Sequence, residues 1–510
     1  MMRGLYLSFA FLTTSLGSRQ GEPTAPLATR GSGILRSSVR SVAGQRGPQR
    51  VRRQDSVGLK NHNDGTLYTI DLSIGTPGQP VTVIIDTGSS DLWVNPVCET
   101  SGQPSFCSSF PQFDYTSSST LQDTGAADIL SYGKGNVTLE YVTDLVAIGS
   151  AQIKDQVFGV GVESYDIPVG ILGLSPPTSD AQTQYSFVLD SLVSQGLIES
   201  RAFSLDLRNV DDPNGSVIFG GIDTGKFIGS LEKCPILDPT ETPSGADRYW
   251  ITMTGVGITL PDGESQTSDA IEVPVFLDSG GTLSRLPTAI YQAIGDSFPG
   301  AQLDQSSGFY YVDCGVGKQA GSVDFIFNNK KIAVPYADFI WEVDEGQCVV
   351  GVLPTDDEPV LGDSFLRAAY VVYDQDNRNL HLAQAANCGS NLVEISSGTN
   401  AVPSVTGDCT GGAEQASATK TFDATRTRAP TNVGSSKVAG ATDVGPGPAE
   451  TRVSVTGGLG TAKPTVDKTT GGATPTASPS ATKNAAAPGT SLCADAFGVA
   501  GVIYVVAMVM

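Results

Sequence analysis

Two short blocks of the sequence each place an aspartate directly after a run of apolar residues. They are VTVIIDTGSSDLWV (81–94), which contains Asp86, and VPVFLDSGGTLSRL (273–286), which contains Asp278. Two carboxylates held close together cannot both ionise cheaply, so they share a proton and titrate in two separated steps. One can then act as general base and the other as general acid on a water molecule that attacks an amide carbonyl. This chemistry needs no metal, no histidine and no covalent intermediate.

The residues that follow each aspartate suit that chemistry. Both blocks continue with a hydroxyl residue and a glycine, namely Thr87 and Gly88 in the first block and Ser279 and Gly280 in the second. A glycine lets backbone approach a carboxylate closely, because it has no Cβ. The two hydroxyls can hold the two loops in register.

A second motif repeats in the same order. VGILGLS (169–175) is echoed by EPVLGDS (358–364), and the separations are similar: 87 residues from Asp86 to Gly173 and 84 from Asp278 to Gly362. Two motifs that recur in the same order at nearly the same spacing indicate duplicated lobes. A two-fold axis between such lobes could bring the two aspartates together.

Composition excludes several other classes of function. The chain has 510 residues and a net charge of −22, so it is a poor candidate for binding nucleic acid, which needs Lys and Arg for phosphate contacts. Its only histidines, His62 and His381, leave little for a zinc site or a Ser-His-Asp triad. We therefore expect no metal and no cofactor, and an enzyme that works through carboxylates.

The N-terminal segment differs in charge from the rest. Residues 1–53 hold nine arginines and one acid, Glu22, so they carry +8 and the remainder −30. The apolar run behind Arg3 predicts a secretory signal peptide over 1–17. Residues 18–53 are then expected to be a basic propeptide that binds the acidic body and is cut after Arg53 by a kexin-like processing protease. The alternative is an exposed basic arm.

The C-terminal segment has the composition of a stalk and an anchor signal. Residues 391–484 are rich in Ser, Thr, Gly and Pro, which predicts a disordered, glycosylated stalk. Small residues begin at Asn484, and a spacer and an uncharged apolar run at 497–510 follow. This is the order of a GPI-attachment signal, which we expect over 485–510 with Asn484 as the attachment residue. Gly489 and Ser491 are rival attachment residues, and a single spanning helix is the alternative to the GPI lipid.

Between these segments, short alternating runs predict an all-β protein with few helices. Its two lobes are expected to cover 54–232 and 233–390. The clearest helix candidate is 185–198, which has apolar residues at helical spacing. The pair Asn214-Gly215 predicts a tight hairpin turn.

The sequence resembles the pepsin-like aspartic proteases. The resemblance covers about 64–390 and rests on YTIDLSIGTPGQPVTVIIDTGSSDLWV, SYGKG (131–135), VGILGLS, FLDSGGTLSRLP and VLGDSFLRAAYVVYD. With the leader, stalk and anchor signal, the whole chain looks like the fungal GPI-anchored branch, the yapsins and candidapepsin-like enzymes. The family implies a bilobal β fold with pseudo-two-fold symmetry and a substrate cleft between the lobes. A proton shared between two carboxylates is well known in that family.

The resemblance assigns roles residue by residue. Asp86 and Asp278 match the catalytic aspartates of the family. The residues that match those supporting the two catalytic loops are Thr87, Gly88, Ser89, Ser279 and Gly280. Tyr132, with Gly133, matches the tyrosine of a flap that closes over substrate, and Trp93 matches the tryptophan that supports it. Pairs Cys98–Cys107 and Cys314–Cys348 sit where the family often has disulfides, and Cys234–Cys388 is a guess for a third. Asn136 and Asn214 stand in glycosylation sequons, of which Asn214 is preferred because Asn136 lies beside the flap.

One position departs from the family pattern. Ser89 supplies a hydroxyl three residues after Asp86, but the matching position after Asp278 is Gly281. Losing a donor to the ionised carboxylate should raise the pKa of the dyad. This predicts either a less acidic pH optimum or lower activity.

The sequence therefore predicts a secreted, monomeric aspartic endopeptidase held at the cell surface, by the plasma membrane or the wall, with peptides and proteins as substrates. Two alternatives remain: a catalytically silent binding module and a structural wall glycoprotein. Whether the acidic surface favours basic substrates also stays open.

Overall fold

Strands dominate the computed structural model, which describes residues 34–43, 66–177, 185–210, 214–268, 271–411, 420–421 and 455–456. Up to the middle of the chain the strands are β1 (Leu35–Ala43), β2 (Thr66–Ile74), β3 (Gln79–Asp86), β4 (Leu92–Val94), β5 (Gln122–Ser131), β6 (Asn136–Ile148), β7 (Ala151–Tyr165), β8 (Gly170–Gly173), β9 (Ala202–Asp206), β10 (Asn214–Phe219), β11 (Gly221–Asp223) and β12 (Phe227–Pro235). The later strands are β13 (Trp250–Met253), β14 (Gly255–Thr259), β15 (Ser265–Ser268), β16 (Val273–Leu277), β17 (Ser284–Pro287), β18 (Gln302–Asp304), β19 (Phe309–Val312), β20 (Ser322–Phe327), β21 (Lys330–Pro335), β22 (Ile340–Asp344), β23 (Gln347–Val350), β24 (Val352–Thr355), β25 (Val360–Leu361), β26 (Ala369–Asp374), β27 (Asn379–Ala385), β28 (Leu392–Glu394), β29 (Lys420–Thr421) and β30 (Val455–Thr456).

The helices in the described ranges are short. They are α1 (Pro104–Cys107), α2 (Val188–Ser194), α3 (Thr288–Ser297), α4 (Tyr336–Phe339) and α5 (Asp363–Leu366), with single turns of 3-10 helix at Cys98–Thr100, Tyr115–Ser117, Thr224–Lys226, Pro239–Glu241 and Cys314–Lys318. The helix predicted over 185–198 exists as α2 but is shorter, because the chain leaves the helical conformation at Gly196, whose φ is +67°. None of the described helices is long and apolar enough to cross a membrane.

The strands form one large sheet and several smaller ones. The large sheet has 14 strands in the order β12-β27-β26-β9-β10-β1-β2-β3-β8-β4-β7-β6-β5-β30. The others are β13-β16-β25-β17-β24, β21-β20-β14-β15-β29, β18-β19-β23-β22 and β11-β28. The predicted all-β, bilobal fold is confirmed.

Burial patterns explain why these segments are strands. In β6, side chains alternate between buried and partly exposed, as expected for a strand with one face on a core. In β26, AYVVYD is buried at every position, as expected for a strand covered on both faces. The central strands therefore form a rigid base on which the loops at their ends are held.

The two repeated blocks fold with the same topology. In the first, β3 runs parallel to β8, and β4 returns antiparallel to β8 with Trp93 opposite Ile171. In the second, β16 runs parallel to β25, and β17 returns antiparallel to β25 with Arg285 opposite Val360. The duplication predicted from the sequence is thus present in strand order and register.

The prediction of a tight turn at Asn214-Gly215 is wrong. Both residues lie inside β10, which pairs with β9 and places Ser216 opposite Asp206. A Cβ added at Gly215 would come within 2.6 Å of the Asp206 carbonyl oxygen. The glycine therefore permits a close approach of two strands instead of a turn.

Ordered structure extends past the expected borders of the lobes. β1 lies within the expected propeptide and is hydrogen-bonded between β10 and β2. Beyond 390, the chain continues in described structure to Gly411 and includes β28. The border expected between 232 and 233 falls inside β12. The signal peptide, Arg53, Asn484 and the segment 485–510 lie outside the described residues.

Candidate active site

Each of the two aspartates stands where a buried strand ends. Asp86 is the last residue of β3 and lies opposite Gly173 of β8. Asp278 directly follows Leu277, the last residue of β16, which lies opposite Leu361 of β25. Because parallel buried strands are held firmly on both sides, the two carboxyl groups start from fixed backbone positions.

Reciprocal hydrogen bonds join the two loops. The Thr87 hydroxyl donates to the Leu277 carbonyl oxygen at 2.9 Å and accepts from the Ser279 amide at 3.0 Å. The Ser279 hydroxyl donates to the Ile85 carbonyl oxygen at 2.9 Å and accepts from the Thr87 amide at 3.2 Å. Both side chains are buried. The structure thus places these hydroxyls as links between the lobes.

Two glycines bring the carboxyl groups face to face. A Cβ added at Gly88 would lie 2.7 Å from Cγ of Asp278, and one added at Gly280 would lie 2.6 Å from Oδ1 of Asp86. Real Cβ atoms do not approach so closely, so any larger residue would push the loops apart. Each carboxyl group is therefore packed against the glycine of the opposite loop.

The hydrogen bonds to the two carboxyl groups differ. Asp86 accepts from the Gly88 amide at 2.7 Å and from the Ser89 hydroxyl at 2.5 Å. Asp278 accepts from the Gly280 amide at 2.8 Å. Gly281 has no hydroxyl to offer, although a Cβ there would lie 3.7 Å from Oδ2 of Asp278, an ordinary contact. A serine would therefore fit at position 281.

This asymmetry favours a proton on Asp278. Burial, and next the negative charge of Asp86, raise the pKa of Asp278 well above its usual range. The Gly280 amide and the charge of Arg248 act in the opposite direction. Asp86 is only 6% exposed, and its two donors stabilise an ionised carboxylate. The pair can therefore hold one proton on Asp278 and one negative charge on Asp86.

Two further charged residues beside the pair were not found from the sequence. Arg248 is buried, lies 3.7 Å from Glu358 and stacks over the Phe276 ring at 5.0 Å. Asp363 is buried, and burial together with the charge of Asp278 raises its pKa well above the usual range, while Arg367 opposes that shift. The second motif held a signal for Asp363, because its counterpart in the first motif is the apolar Leu174.

The residues expected to form the flap lie in the connection between β5 and β6. The Tyr132 amide donates to the Gly135 carbonyl oxygen at 3.0 Å, which closes the turn, and Gly133 is exposed. The buried Trp93 of β4 donates from Nε1 to the Tyr132 hydroxyl at 2.9 Å. This hydrogen bond connects the hairpin to the strand that follows the Asp86 loop.

Three disulfides join cysteines within the described residues. Cys98–Cys107 and Cys314–Cys348 are present as the resemblance implied, with Cα atoms 5.3 and 5.2 Å apart. The third is Cys388–Cys409, so the guess of Cys234–Cys388 is wrong. Cys234 is a buried thiol on β12, opposite Leu380 of β27, and Cys388 lies beyond the end of β27. The third pairing could not be foreseen because Cys409 lies in the segment expected to be disordered.

The two sequons lie in different settings. Asn136 is exposed at the start of β6, next to the flap. Asn214 is the first residue of β10. The described residues contain no group of three or more acids, cysteines or histidines arranged to hold a metal ion.

Comparison with known proteins agrees with this geometry. The family model described as "Eukaryotic aspartyl protease" matches residues 67–385. "Probable aspartic-type endopeptidase opsB" of Aspergillus oryzae is 35% identical over 381 residues, covering 70% of this chain and 77% of that protein. "Acid protease" of Saccharomycopsis fibuligera is 34% identical over 361 residues, covering 68% and 88%. "Candidapepsin-3" of Candida albicans is 35% identical over 351 residues, covering 66% and 83%.

Proposed function

The chain belongs to the eukaryotic aspartyl proteases and is an aspartic-type endopeptidase, and from this premise we propose that Asp86 and Asp278 hydrolyse peptide bonds by activating one water molecule between them. The observation that carries the proposal is the packing of each carboxyl group against the glycine of the opposite loop. The raised pKa of Asp278 supports it, because a shared proton is what general acid–base catalysis by two carboxyl groups requires.

In this mechanism Asp86 is the base and Asp278 the acid. Asp86 takes a proton from the water, whose oxygen bonds to the carbonyl carbon, while Asp278 gives its proton to the carbonyl oxygen. The tetrahedral intermediate then collapses. The proton on Asp86 moves to the amide nitrogen as the C–N bond breaks, and Asp278 regains a proton from a hydroxyl of the intermediate. The products are a carboxylic acid and an amine, and the pair returns to its starting state.

The flap provides the conditions for this reaction. Tyr132, held by Trp93, would cover bound substrate and exclude bulk water. Exclusion of water strengthens the electrostatic effect of fixed donors on the charge that develops at the carbonyl oxygen. Tyr132 and Gly133 thus act on substrate binding and positioning rather than on proton transfer.

The test is cleavage of a peptide library by the folded protein between about pH 3 and pH 7, read by mass spectrometry. We expect cleavage with an acidic optimum that is lost in Asp278→Asn and Asp86→Asn, both of which should keep the wild-type circular dichroism spectrum. Cleavage that survives in either variant would contradict the mechanism. No cleavage by folded wild-type protein from which residues 1–53 have been removed would favour the silent binding module, with Gly281 as its structural basis.

We also propose that the enzyme is made as a secreted zymogen. The opposite charges of leader and body support this, and so does β1, which pairs leader residues 35–43 with strands of the body. A relative is named "Secreted aspartic protease 3". N-terminal sequencing of the secreted protein tests the site: a mature terminus after Arg53 is expected, and one that disappears in Arg53→Ala would identify the processing residue.

Retention at the cell surface through a GPI lipid at Asn484 completes the proposal. Its support is the order of small residues, spacer and apolar end in the sequence. Release of activity from cells by a phosphatidylinositol-specific phospholipase is expected. Release by the phospholipase that survives Asn484→Gln would point to attachment at Gly489 or Ser491, whereas retention that survives the phospholipase would point to the wall.

A further inference from the structure

Arg285 occupies the position in the second lobe that Trp93 occupies in the first. Each stands seven residues after the aspartate of its block. Trp93 lies opposite Ile171, the residue before Leu172-Gly173, and Arg285 lies opposite Val360, the residue before Leu361-Gly362. The equivalence is therefore one of strand register as well as of sequence.

The two side chains leave their strands on corresponding faces. Leu92 and Val94 point into the main core, whereas Trp93 belongs to a separate cluster that Tyr132 of the flap packs against. In β17, Leu286 points into the same main core. Leu353, which is paired with Arg285 on β24 and so lies on its face of the sheet, packs instead with a cluster of Leu283, Phe309, Trp341, Val343 and Val349.

Arg285 thus projects from the wall of the second lobe that corresponds to the flap side of the first. The hairpin β18–β19 lies near this wall, because a Cβ at its Gly308 would be 3.8 Å from the side chain of Leu353, the residue paired with Arg285 on β24. By the pseudo-two-fold relation, this is the side of the cleft that faces a bound peptide.

The charge of Arg285 has no carboxylate partner among the described residues. The side chain is partly buried, its Nε is buried without a hydrogen-bond acceptor, and burial lowers its pKa. The acids on neighbouring elements are engaged elsewhere. Glu358 pairs with Arg248, Asp363 lies beside Arg367, Asp304 accepts from Ser306 and Ser307, Asp296 accepts from the Tyr310 hydroxyl, and Asp356 accepts from the Thr288 hydroxyl.

A partly desolvated guanidinium without a hydrogen-bonded anion costs free energy, because burial removes part of its hydration. It is therefore expected to have a partner that arrives from outside. A guanidinium matches a carboxylate in two parallel hydrogen bonds.

We propose that Arg285 selects peptides with an acidic side chain, Asp or Glu, at one position flanking the bond that is cut. The inference rests on the proposed function, because it assumes that the cleft binds a peptide. Arg285 does not touch the reacting atoms, so it contributes to specificity and not to the chemical step.

The experiment compares peptides that differ only in Glu, Gln or Lys at one position, scanned on both sides of the cut bond. At about pH 5.5, where a peptide Glu is ionised, wild-type kcat/KM for Glu should exceed that for Gln at one position by roughly tenfold. That is the factor expected for one hydrogen-bonded charge pair of about 1.4 kcal/mol. The ratio should fall to about one in Arg285→Gln and be partly kept in Arg285→Lys.

The matched control is Arg201→Gln, which removes an arginine that already pairs with Asp190 and Asp376 and should leave the ratio unchanged. In the wild type the preference should fade near pH 3.5, because the peptide Glu becomes protonated. The proposal is overturned if no position prefers Glu over Gln, or if Arg285→Gln keeps the preference.

Failure of the proposed function gives a different result. A protein that cuts no peptide would still be tested by fluorescence anisotropy with the same peptides, labelled, on wild-type and Arg285→Gln protein. Tighter binding of the Glu peptide by the wild type alone would sustain the role of Arg285 without catalysis. Equal binding of the Glu and Gln peptides by the wild-type protein would contradict the role of Arg285.

Discussion

Thr87 and Ser279 exchange hydrogen bonds across the boundary between the lobes. The Thr87 hydroxyl accepts the Ser279 amide at 3.0 Å, and the Ser279 hydroxyl accepts the Thr87 amide at 3.2 Å. Each hydroxyl also donates to a carbonyl oxygen of the opposite strand. The relative position of the two aspartates is therefore set by groups of both lobes together.

Removing one of these hydroxyls should weaken both stability and catalysis. Thr87→Val leaves the buried Ser279 amide and the Leu277 carbonyl oxygen without their partner. We expect a loss of about 2–6 kcal/mol in the free energy of unfolding, as each of the two buried unsatisfied groups costs about 1–3 kcal/mol. Urea unfolding and kcat measure the two effects.

The control for this change is Thr87→Ser, which keeps the hydroxyl and should stay close to wild type. The double variant Thr87→Val/Ser279→Ala should cost less than the two single changes added together, because the two residues share partners. Additive losses would show that the hydroxyls act independently.

Gly281→Ser should shift the pH profile towards acid. A serine hydroxyl near Oδ2 of Asp278 would stabilise the ionised carboxylate and lower its pKa, so the general acid would lose its proton at lower pH. In a plot of kcat/KM against pH, the alkaline limb should move to lower pH by up to about one pH unit. Gly281→Ala is the control, since it adds the Cβ without a donor. A profile shared by glycine, alanine and serine would contradict the role given to this position.

Asp363→Asn should reduce the decrease in the free energy of unfolding that occurs as pH rises. Burial raises the pKa of the Asp363 carboxyl in the folded state, so the folded protein binds more protons than the unfolded chain above about pH 4. Stability is then lost as pH rises from the unfolded pKa towards the folded pKa, at up to about 1.4 kcal/mol per unit. Urea unfolding at pH 4, 5 and 6 measures the slope for wild type and variant.

Asp304→Asn is a control of opposite sign. Hydrogen bonds from the Ser306 amide and hydroxyl and from Ser307 lower the pKa of this exposed carboxyl, so its contribution is present above the unfolded pKa and is lost as pH falls. If the free energy of unfolding has the same slope against pH in Asp363→Asn as in the wild type, the pKa of the Asp363 carboxyl does not change on unfolding.

Trp93→Phe should loosen the flap. The substitution keeps an aromatic ring but removes the Nε1–H donor to the Tyr132 hydroxyl. We expect kcat/KM to fall roughly fivefold, which corresponds to one hydrogen bond of about 1 kcal/mol. Tyr132→Phe should have a similar effect and add little to Trp93→Phe in the double variant. If the fold-decrease in kcat/KM of the double variant equals the product of the two single decreases, Trp93 and Tyr132 act independently.

A chain that ends at 390 should be less stable than one that ends at 411. The longer chain keeps the Cys388–Cys409 disulfide, which closes a loop with a sequence separation of 21. Such a loop is worth about 3 kcal/mol. The segment also carries Asn391 and Asp408, which hydrogen-bond to each other and to Thr224. Equal urea midpoints for the two chains would show that the segment is dispensable.

The repeats were enough to predict the bilobal fold, because two motifs in the same order imply two equivalent lobes. They did not reveal α3, although Ile290, Tyr291 and Ile294 are buried along it, since a ten-residue helix after Pro287 gives a weak periodic signal. The residues around the pair show the same limit. The charge of Arg248 acts on Asp278, and the charge of Asp278 acts on Asp363. Both effects depend on burial and distance, which local sequence does not give.

The segment after 390 illustrates a second limit. Its polar composition predicts disorder because it has little apolar surface to bury. The structure holds residues 390–411 by the Cys388–Cys409 disulfide and by hydrogen bonds to Asp223, which accepts from the Asn391 amide and the Ser390 hydroxyl. Composition alone cannot anticipate such long-range restraints.

The place of β1 has a consequence for activation. Residues 35–43 pair on one edge with β10 and on the other with β2, in the interior of the 14-stranded sheet. A cut after Arg53 would break one covalent bond and leave both rows of backbone hydrogen bonds intact. The severed leader would then behave as a bound subunit, and its departure would expose the facing edges of β10 and β2. Cutting the chain would thus not by itself free the leader, because both rows of hydrogen bonds must still break.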